Sequence, residues 1–279
     1  MSAIYINNRL VHYEVVGRRG PPVLFLHSWL GSWRYWLPTM DHISEKHRAY
    51  ALDFWGFGES DRRDGELTVD AYVDLVLGFI DQLGITRISV VGHGLGGVVA
   101  LRAATVRPER FSRAMVVTTP LAGLPAQYST RAKPLLRLFG RAQPNETWTR
   151  LVRQMTGDYP QILEEIVEDT ESIDPTTIDH VIESIGKADL RATLQQLQVP
   201  VLAVFGGRDA LVSADQRQYL LEDRDVLQQA VNFPKSQHFP FLDQPMAFNR
   251  MLMDFQESQG TPVEIKTEWR RRVSQLEYI

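Results

Sequence analysis

The chain of 279 residues contains no cysteine, so disulfide bonds, thiolate catalysis and cysteine-ligated metals are excluded. It also lacks a strong charge of either sign. A net charge of −4 argues against nucleic acid as the main partner. No apolar run is long enough to span a bilayer, so we expect no membrane partner. The first residues lack the basic start and apolar block of a secretory signal, which makes a cytoplasmic location the default expectation.

Apolar residues make up 44% of the chain, enough to bury a sizeable core. Residues 4–16 alternate around Asn7-Asn8 and predict two strands joined by a turn. Short apolar runs predict further, buried strands at 23–26, 49–52, 88–91, 114–117 and 201–205. Helical patterns at 68–83 and 95–107 alternate with these runs. The alternation predicts an α/β fold with a mostly parallel sheet of about eight strands and helices on both faces.

The pattern changes in residues 121–190, which hold several helix candidates and no clear strand. Asn145 is a candidate cap for one helix, and Asp174 followed by Pro175 is typical of the start of another. An all-helical insertion between two strands would cover the sheet edge where ligands bind. The sequence therefore predicts three parts: a core of residues 1–120 and 191–258, a helical cap of residues 121–190, and a charged extension of residues 259–279.

Residues 90–97, which read VVGHGLGG between a predicted strand and a helix, are the most informative stretch. They fit G-x-S-x-G, the sharp turn that exposes a nucleophile, except that glycine, Gly94, stands at its centre. They also fit the dinucleotide-binding pattern G-x-G-x-x-G. That pattern requires an acidic residue at the end of the next strand, and residues 117–120, VTTP, contain none. We therefore favour the nucleophile turn and expect no cofactor.

Four more motifs accompany this turn in a fixed order along the chain. They are HSWLGSW at 27–33, DFWGFGESD at 53–61, GGRD at 206–209 and SQHFP at 236–240. Each follows a predicted strand or lies near the end of the chain, and the helical insertion falls in one gap between them. This order resembles the α/β-hydrolase superfamily, particularly its capped esterases, epoxide hydrolases and dehalogenases.

The resemblance implies a role for each motif. His238 would be the general base, and Asp209 would orient it through the other ring nitrogen. The backbone N–H groups of Trp29 and Leu95 would form an oxyanion hole. Gly94 occupies the nucleophile position, but glycine has no side-chain oxygen and cannot form a covalent intermediate.

The missing nucleophile leaves three hypotheses open. The pair formed by His238 and Asp209 could activate water for hydrolysis, which would be weak. The pair could instead move a proton in a non-hydrolytic reaction without a cofactor, or the pocket could bind a ligand or partner without chemistry. Ser28, which replaces a glycine usual in the family, is a candidate replacement nucleophile, but a loop hydroxyl bonded to backbone is the simpler interpretation.

Aromatic residues cluster in the two loops expected at the mouth of a pocket. Trp55 and Phe57, with Phe239 and His93 next to the predicted catalytic residues, are the further candidates for the pocket, and they favour a small apolar ligand. His93 is interpreted as a packing residue rather than an acid–base group. No histidine shows metal-ligand spacing, so we expect no metal site. We expect a hydrolase of a small, largely apolar, ester-like substrate, and the sequence predicts no oligomeric state.

Overall fold

One sheet organises the part of the chain that the computed structural model describes, which comprises residues 2–62, 65–124, 152–153, 160–220 and 228–258. Its eight strands lie in the order β1-β2-β4-β3-β5-β6-β7-β8. In chain order they are β1 (Ser2–Ile6), β2 (Arg9–Val16), β3 (Pro22–Leu26), β4 (Arg48–Leu52), β5 (Ile88–His93), β6 (Phe111–Val117), β7 (Val201–Gly206) and β8 (Gln228–Phe233). Strand β2 runs opposite to the other seven: its pairs with β1 and β4 are antiparallel, and the remaining described pairs are parallel. The predicted, mostly parallel fold class is confirmed.

The helices of the described residues separate and follow these strands. They are α1 (Leu37–Ile43), α2 (Val69–Gln82), α3 (Leu95–Val106), α4 (Pro160–Ser172), α5 (Pro175–Lys187), α6 (Arg191–Gln196), α7 (Pro240–Asp243) and α8 (Pro245–Glu257). Short 3₁₀ turns span Trp33–Trp36, Pro108–Arg110 and Ala214–Tyr219. None of the described helices is both long enough and apolar enough to cross a bilayer.

Local sequence signals set the ends of several elements. Asn7 and Asn8 adopt φ angles of 51° and 60°, a left-handed pair that turns β1 into β2. Asp174 caps α5, because its carboxylate accepts a hydrogen bond from the backbone N of Thr176 at 2.8 Å. The predicted turn and the predicted start of this helix are therefore confirmed. The other candidate cap, Asn145, lies outside the described residues.

The centre of the sheet is formed by β5, whose six residues are all buried. A strand buried on both faces must be covered on both sides, which accounts for the apolar residues Ile88, Val90 and Val91 in it. The parallel strands β3, β5, β6 and β7 all end at the same edge of the sheet. The loops that leave these ends carry the predicted oxyanion, nucleophile-turn and acid motifs, so the fold brings them together.

Between β6 and β7 the described residues form helices and no strand. Helix α5 contacts the core where the hydroxyl of Ser184 accepts a hydrogen bond from Val69 N at 2.9 Å. Leu190 N donates to Leu121 O at 2.9 Å, close to the start of the insertion. The helical character predicted for this region is confirmed for its described part. The domain boundaries stay predictions, and residues 259–279 lie outside the described residues.

The sequence does not predict strand β8, which reads QQAVNF and lies at the edge of the sheet. An edge strand pairs on one side only and is covered less completely than a central one. Three of its residues are half-buried and one is exposed, so it needs no continuous apolar run. The periodic signal that identifies the buried strands is for this reason weak here.

Candidate active site

A sharp turn joins the end of β5 to the start of α3, with Gly94 at its apex. Gly94 has φ 50° and ψ −111°, a backbone conformation that glycine adopts without the steric cost of a β-carbon. Its neighbour Gly96 allows a close approach to the loop after β3, because a β-carbon there would lie 2.7 Å from His27 O. The turn therefore holds residue 94 against that loop and directs it to the strand-end edge of the sheet.

Ser28, on the loop after β3, fills the space next to Gly94. A β-carbon on Gly94 would overlap the Ser28 hydroxyl oxygen and would lie 3.0 Å from Ser28 Cβ. Ser28 is 2% exposed, and its hydroxyl has no hydrogen-bond partner among the described residues. A hydrogen bond from the Ser28 hydroxyl to the backbone, the simpler interpretation of this residue from the sequence, is therefore absent among the described residues.

His238 and Asp209 come together from two different loops, after β7 and β8. His238 Nδ1 and Asp209 Oδ2 lie 2.8 Å apart, and both side chains are buried. The other carboxylate oxygen of Asp209 accepts hydrogen bonds from Leu211 N at 2.8 Å and Val212 N at 3.3 Å, which fixes its orientation. The carboxylate accepts only, so Nδ1 carries the proton and Nε2 keeps its lone pair. The geometry expected for the pair is present.

These residues border one partly open cavity, where the space not filled by atoms is about 220 Å³, open solvent included. Its described lining combines the predicted chemical groups with apolar side chains: Trp29, Gly94, Leu95, Thr118, Pro120, Leu124, Ile185, Leu211, Val212 and His238. Ile185 belongs to α5, so the helical insertion contributes to the wall. In the described part of the lining, His238 is the one side chain that is not apolar, neutral or a plain hydroxyl. The cavity thus suits a neutral, largely apolar molecule.

The two predicted oxyanion donors, Trp29 and Leu95, line the cavity together with Gly94. Leu95 is the first residue of α3, so its backbone N–H lies at the helix end that carries partial positive charge. Trp29 directly follows Ser28 on the oxyanion loop, here residues 27–33. That the backbone N–H groups of Trp29 and Leu95 form an oxyanion hole stays a prediction.

Comparison with known proteins adds an independent observation to this geometry. Residues 23–251 match the profile of the Alpha/beta hydrolase family, which is more than half of the chain. The chain belongs to this family. The resemblance predicted from the five motifs is therefore confirmed.

The relatives of this chain include an enol-lactonase and a methyl ester esterase. The chain is 25% identical over 244 residues to 3-oxoadipate enol-lactonase 2 of Acinetobacter baylyi, covering 86% of this chain and 90% of that protein. It is 28% identical over 265 residues to a pimeloyl-[acyl-carrier protein] methyl ester esterase of Nitrosomonas europaea, covering 85% of this chain and 96% of that protein.

Solved structures of alpha/beta hydrolases share the fold over almost the whole chain. The enol-lactonase from Burkholderia xenovorans LB400 superposes with a TM-score of 0.81 at 23% identity, covering 91% of this chain and 99% of that one. A hydrolase from Pseudomonas aeruginosa PA01 superposes with a TM-score of 0.82 at 19% identity, covering 92% and 98%. At these identities the likeness shows the fold alone.

A chain of hydrogen bonds in this alpha/beta hydrolase links three of its site loops. Ser28 N donates to the Tyr35 hydroxyl at 2.5 Å, and that hydroxyl lies 3.0 Å from His93 Nδ1. His93 Nε2 lies 3.1 Å from the backbone oxygen of His238. The carbonyl oxygen of His238 can only accept, so His93 Nε2 carries the proton and donates it. His93 Nδ1 is then an acceptor, and the Tyr35 hydroxyl donates to it. The chain joins the oxyanion loop, the turn after β5 and the loop that carries His238.

His93 is neutral in this chain of bonds. Complete burial lowers the pKa of His93 well below its ordinary value of 6.5, and the neighbouring His238 lowers it further. Burial also raises the pKa of Tyr35 well above its ordinary value of 10. Both groups therefore hold one protonation state over the physiological range, in line with the packing role expected for His93.

Three aromatic pocket candidates lie away from the described cavity lining. Trp55 packs under the guanidinium of Arg9, 4.4 Å from its ring centre. Phe57 is fully buried against the His27 ring, with centroids 5.3 Å apart. Phe239 is buried among other rings, including that of His238. The structure does not bring these three to the cavity, because the loops turn their aromatic side chains into the core. His93 is likewise behind the site rather than on the described lining.

Asp53 is a positioning residue to which the sequence alone assigns no role. Its carboxylate accepts hydrogen bonds from Trp33 N at 2.9 Å and Glu59 N at 3.0 Å. It also lies 2.9 Å from His12 Nδ1, whose proton it accepts. Asp53 thereby joins the oxyanion loop to the turn after β4. Its place in the DFWGFGESD motif is the signal that marks it.

Asp169, on α4, connects the helical insertion to the oxyanion loop. Ser32 Oγ donates to its carboxylate, and Arg34 Nη1 donates to Oδ1 at 2.6 Å. Burial raises the pKa of Asp169 above its ordinary value, and the Ser32 and Arg34 contacts oppose that shift. No sequence motif marks this contact, because its partners are more than 130 residues apart.

Proposed function

We propose that this alpha/beta hydrolase cleaves a small, largely apolar ester or lactone, with His238 as the general base. The observation that carries the proposal is the 2.8 Å contact between His238 Nδ1 and Asp209 Oδ2 at the wall of a cavity that also contains Gly94, Trp29 and Leu95. A buried carboxylate that orients one ring nitrogen leaves the other free to take a proton.

The chemistry follows from where these groups lie. His238 Nε2 takes a proton from a hydroxyl group as its oxygen attacks the carbonyl carbon of the substrate. The N–H groups of Trp29 and Leu95 donate to the negative oxygen that forms, which stabilises the tetrahedral intermediate. His238 then returns the proton to the leaving oxygen, so that the alcohol departs neutral.

The substrate class is inferred from the lining and from the relatives. The described wall is formed mostly by apolar side chains, including Leu124, Ile185 and Leu211, and these favour an apolar acyl or alcohol group. The names of the two relatives, an enol-lactonase and a methyl ester esterase, both describe cleavage of an ester bond. A neutral ester or lactone of modest size fits both observations.

Residue 94 cannot supply the attacking oxygen. Glycine has no side chain, and a serine introduced there would collide with Ser28, because even its β-carbon would overlap the Ser28 hydroxyl. The attacking oxygen therefore comes from water or from another residue of the site. The proposal that His238 is the base holds for either source.

Hydrolysis of a panel of short-chain aryl esters and of dihydrocoumarin by the unaltered protein and by His238→Ala tests this proposal. We expect turnover by the unaltered protein and a loss of about 10²–10⁴-fold in His238→Ala, since that is the usual contribution of a general base. The exposed His42 offers a matched control, because His42→Ala removes an imidazole that is not on the described cavity lining. Equal turnover in His238→Ala would contradict the proposal.

The same assay separates catalysis from ligand binding alone. If no ester is turned over while the unaltered protein still binds the panel compounds in calorimetry, a binding protein without chemistry replaces the hydrolase.

A further inference from the structure

Serine and glycine stand in exchanged places at the two loops that meet beside His238. The oxyanion loop has Ser28 where the resemblance leads one to expect glycine, and the turn after β5 has Gly94 where it leads one to expect serine. The structure brings these two positions into direct contact, because a β-carbon on Gly94 would overlap Ser28 Oγ. A hydroxyl group is thus present next to the nucleophile position, but it is carried by the other loop.

The surroundings of the Ser28 hydroxyl indicate that packing alone does not explain why a serine occupies this position. Its oxygen is buried and has no hydrogen-bond partner among the described residues. Leaving a buried hydroxyl unpaired costs about 1–3 kcal/mol, so such a group in a folded protein calls for an explanation. An alanine would pack in the same place without that cost.

The backbone of Ser28 is held firmly while its side chain is not. Its N–H donates to the Tyr35 hydroxyl at 2.5 Å, and its carbonyl oxygen accepts from His27 Nδ1 at 2.6 Å. Those two bonds fix the position of the α-carbon, and rotation about one side-chain bond moves the hydroxyl among staggered positions. Ser28 is not itself on the described lining of the cavity, but its hydroxyl lies against Gly94, which is. The hydroxyl can therefore turn beside Gly94 without any movement of the loop.

We propose that Ser28 is the nucleophile of this hydrolase and takes the part that residue 94 cannot play. This inference rests on the proposed ester hydrolysis and names its attacking group. In the first step Ser28 Oγ–H gives its proton to His238 Nε2 and Oγ bonds to the carbonyl carbon. The carbonyl π electrons move to the oxygen, which the N–H groups of Trp29 and Leu95 stabilise.

The remaining steps return the site to its starting state. The tetrahedral intermediate breaks its bond to the leaving oxygen, which takes the proton from His238 and departs as the alcohol. Water then gives a proton to His238 and attacks the Ser28 ester. When the bond to Ser28 Oγ breaks, that oxygen recovers the proton from His238, and the acid is released. The sum is ester plus water to acid plus alcohol, with no other reactant.

Covalent labelling tests the proposal directly. An alkyl fluorophosphonate, which phosphonylates activated serines with loss of fluoride, is incubated with the unaltered protein, and the modified peptide is found by mass spectrometry. We expect a single adduct on Ser28 and, in Ser28→Ala, loss of both the adduct and ester turnover, the latter by about 10³-fold or more. Ser89→Ala is the matched control, because the Ser89 hydroxyl is also buried without a described partner but lies near the start of β5, at the other end of the strand from Gly94.

A double variant distinguishes failure of this inference from failure of the proposed function. Ser28→Gly with Gly94→Ser removes the overlap and places a serine at the apex of the turn. If Ser28→Ala keeps full turnover, or if turnover continues without any adduct on Ser28, the nucleophile assignment is overturned and hydrolysis through water remains. If the double variant hydrolyses esters and the unaltered protein does not, the assignment is likewise overturned. If neither hydrolyses any ester, the proposed function fails as well.

Ser28→Cys keeps the proposal testable should the alanine variant not fold. The chain has no cysteine, so this variant carries a single thiol. We expect an acyl-thioester to accumulate on residue 28 with an activated aryl ester, seen as the added acyl mass in the intact protein. The absence of this species in a folded variant would contradict the proposal.

Discussion

Two buried histidines stand side by side in this protein, and their surroundings give them different capacities. The rings of His93 and His238 have centroids 4.7 Å apart, and both residues are buried. Both nitrogens of His93 are bonded, one to Tyr35 and the other to the backbone oxygen of His238. His238 uses Nδ1 for Asp209, while its Nε2 has no hydrogen-bond partner among the described residues. Burial alone therefore does not make a histidine a general base. The histidine also needs one ring nitrogen without a partner and a carboxylate bound to the other.

The largest effect is expected from the carboxylate that distinguishes the two rings. Asp209→Asn should lower kcat/KM for an ester by about 10³–10⁴-fold, because an amide no longer holds His238 in the required tautomer. Asp215→Asn, at an exposed position on the following 3₁₀ turn, is the control and should leave kcat/KM unchanged. An Asp209→Asn enzyme as active as the unaltered one would remove the distinction between the two histidines.

The hydrogen-bond chain on the His93 side predicts an effect on stability. Tyr35→Phe removes the acceptor for Ser28 N and the donor to His93 Nδ1. Two buried polar groups then lose their partners, so we expect the free energy of unfolding to fall by about 1–3 kcal/mol. Urea denaturation measures this change. No loss of stability would show that these contacts contribute little to holding the oxyanion loop.

The neutral state of His93 predicts acid sensitivity. Burial lowers the pKa of His93 well below 6.5 in the folded state, whereas the unfolded chain takes up the proton near 6.5. Below pH 6.5 the unfolded chain therefore binds a proton that the folded protein does not. The free energy of unfolding does not change with this group above pH 6.5, and it falls as the pH drops below that value. The slope is about 1.4 kcal/mol per pH unit for each such group.

Urea midpoints measured between pH 7.5 and pH 5 check this slope. His27, whose pKa is also lowered by burial, contributes to the slope of the unaltered protein. His93→Gln keeps an N–H for the backbone oxygen of His238 but cannot titrate. The slope of its free energy of unfolding against pH should therefore correspond to about one proton fewer than in the unaltered protein. Equal slopes in the two proteins would show that His93 is not held neutral.

The smallest effect is expected at Thr118, whose hydroxyl donates to the backbone oxygen of His238 at 2.9 Å. Thr118→Ala should lower the free energy of unfolding by about 0.5–1.5 kcal/mol, the usual net value of one hydrogen bond. Thr118→Ser retains the hydroxyl and should stay close to the unaltered protein. Alanine and serine variants of equal stability would indicate that this bond does not hold the His238 loop.

The sequence predicts the central part of the fold well, because buried parallel strands leave continuous apolar runs. It does not predict β8, where an edge position lets polar residues alternate with apolar ones. The order of the motifs, through the resemblance to the α/β-hydrolase superfamily, predicts Asp209 and His238 as a pair. Their distance depends on the register of β7 and β8, which no local pattern encodes.

The sequence does not predict the orientation of the side chains. Trp55 and Phe57 lie on a loop near the site, but the backbone turns Trp55 under Arg9 and Phe57 against His27. Tyr35 carries no motif, and its importance comes from partners on two other loops, at Ser28 and His93. The contact between Gly94 and Ser28 likewise follows only from the fold, which brings together two positions that are 66 residues apart in the sequence.

The most direct test of the account compares His238→Gln and His93→Gln on the same aryl ester, with both proteins shown to be folded by circular dichroism. The account predicts that turnover falls by about 10²–10⁴-fold in the first variant and by less than about tenfold in the second. Comparable turnover in the two variants, or a greater loss in His93→Gln, would contradict the claim that the Asp209-bound ring alone acts as the base.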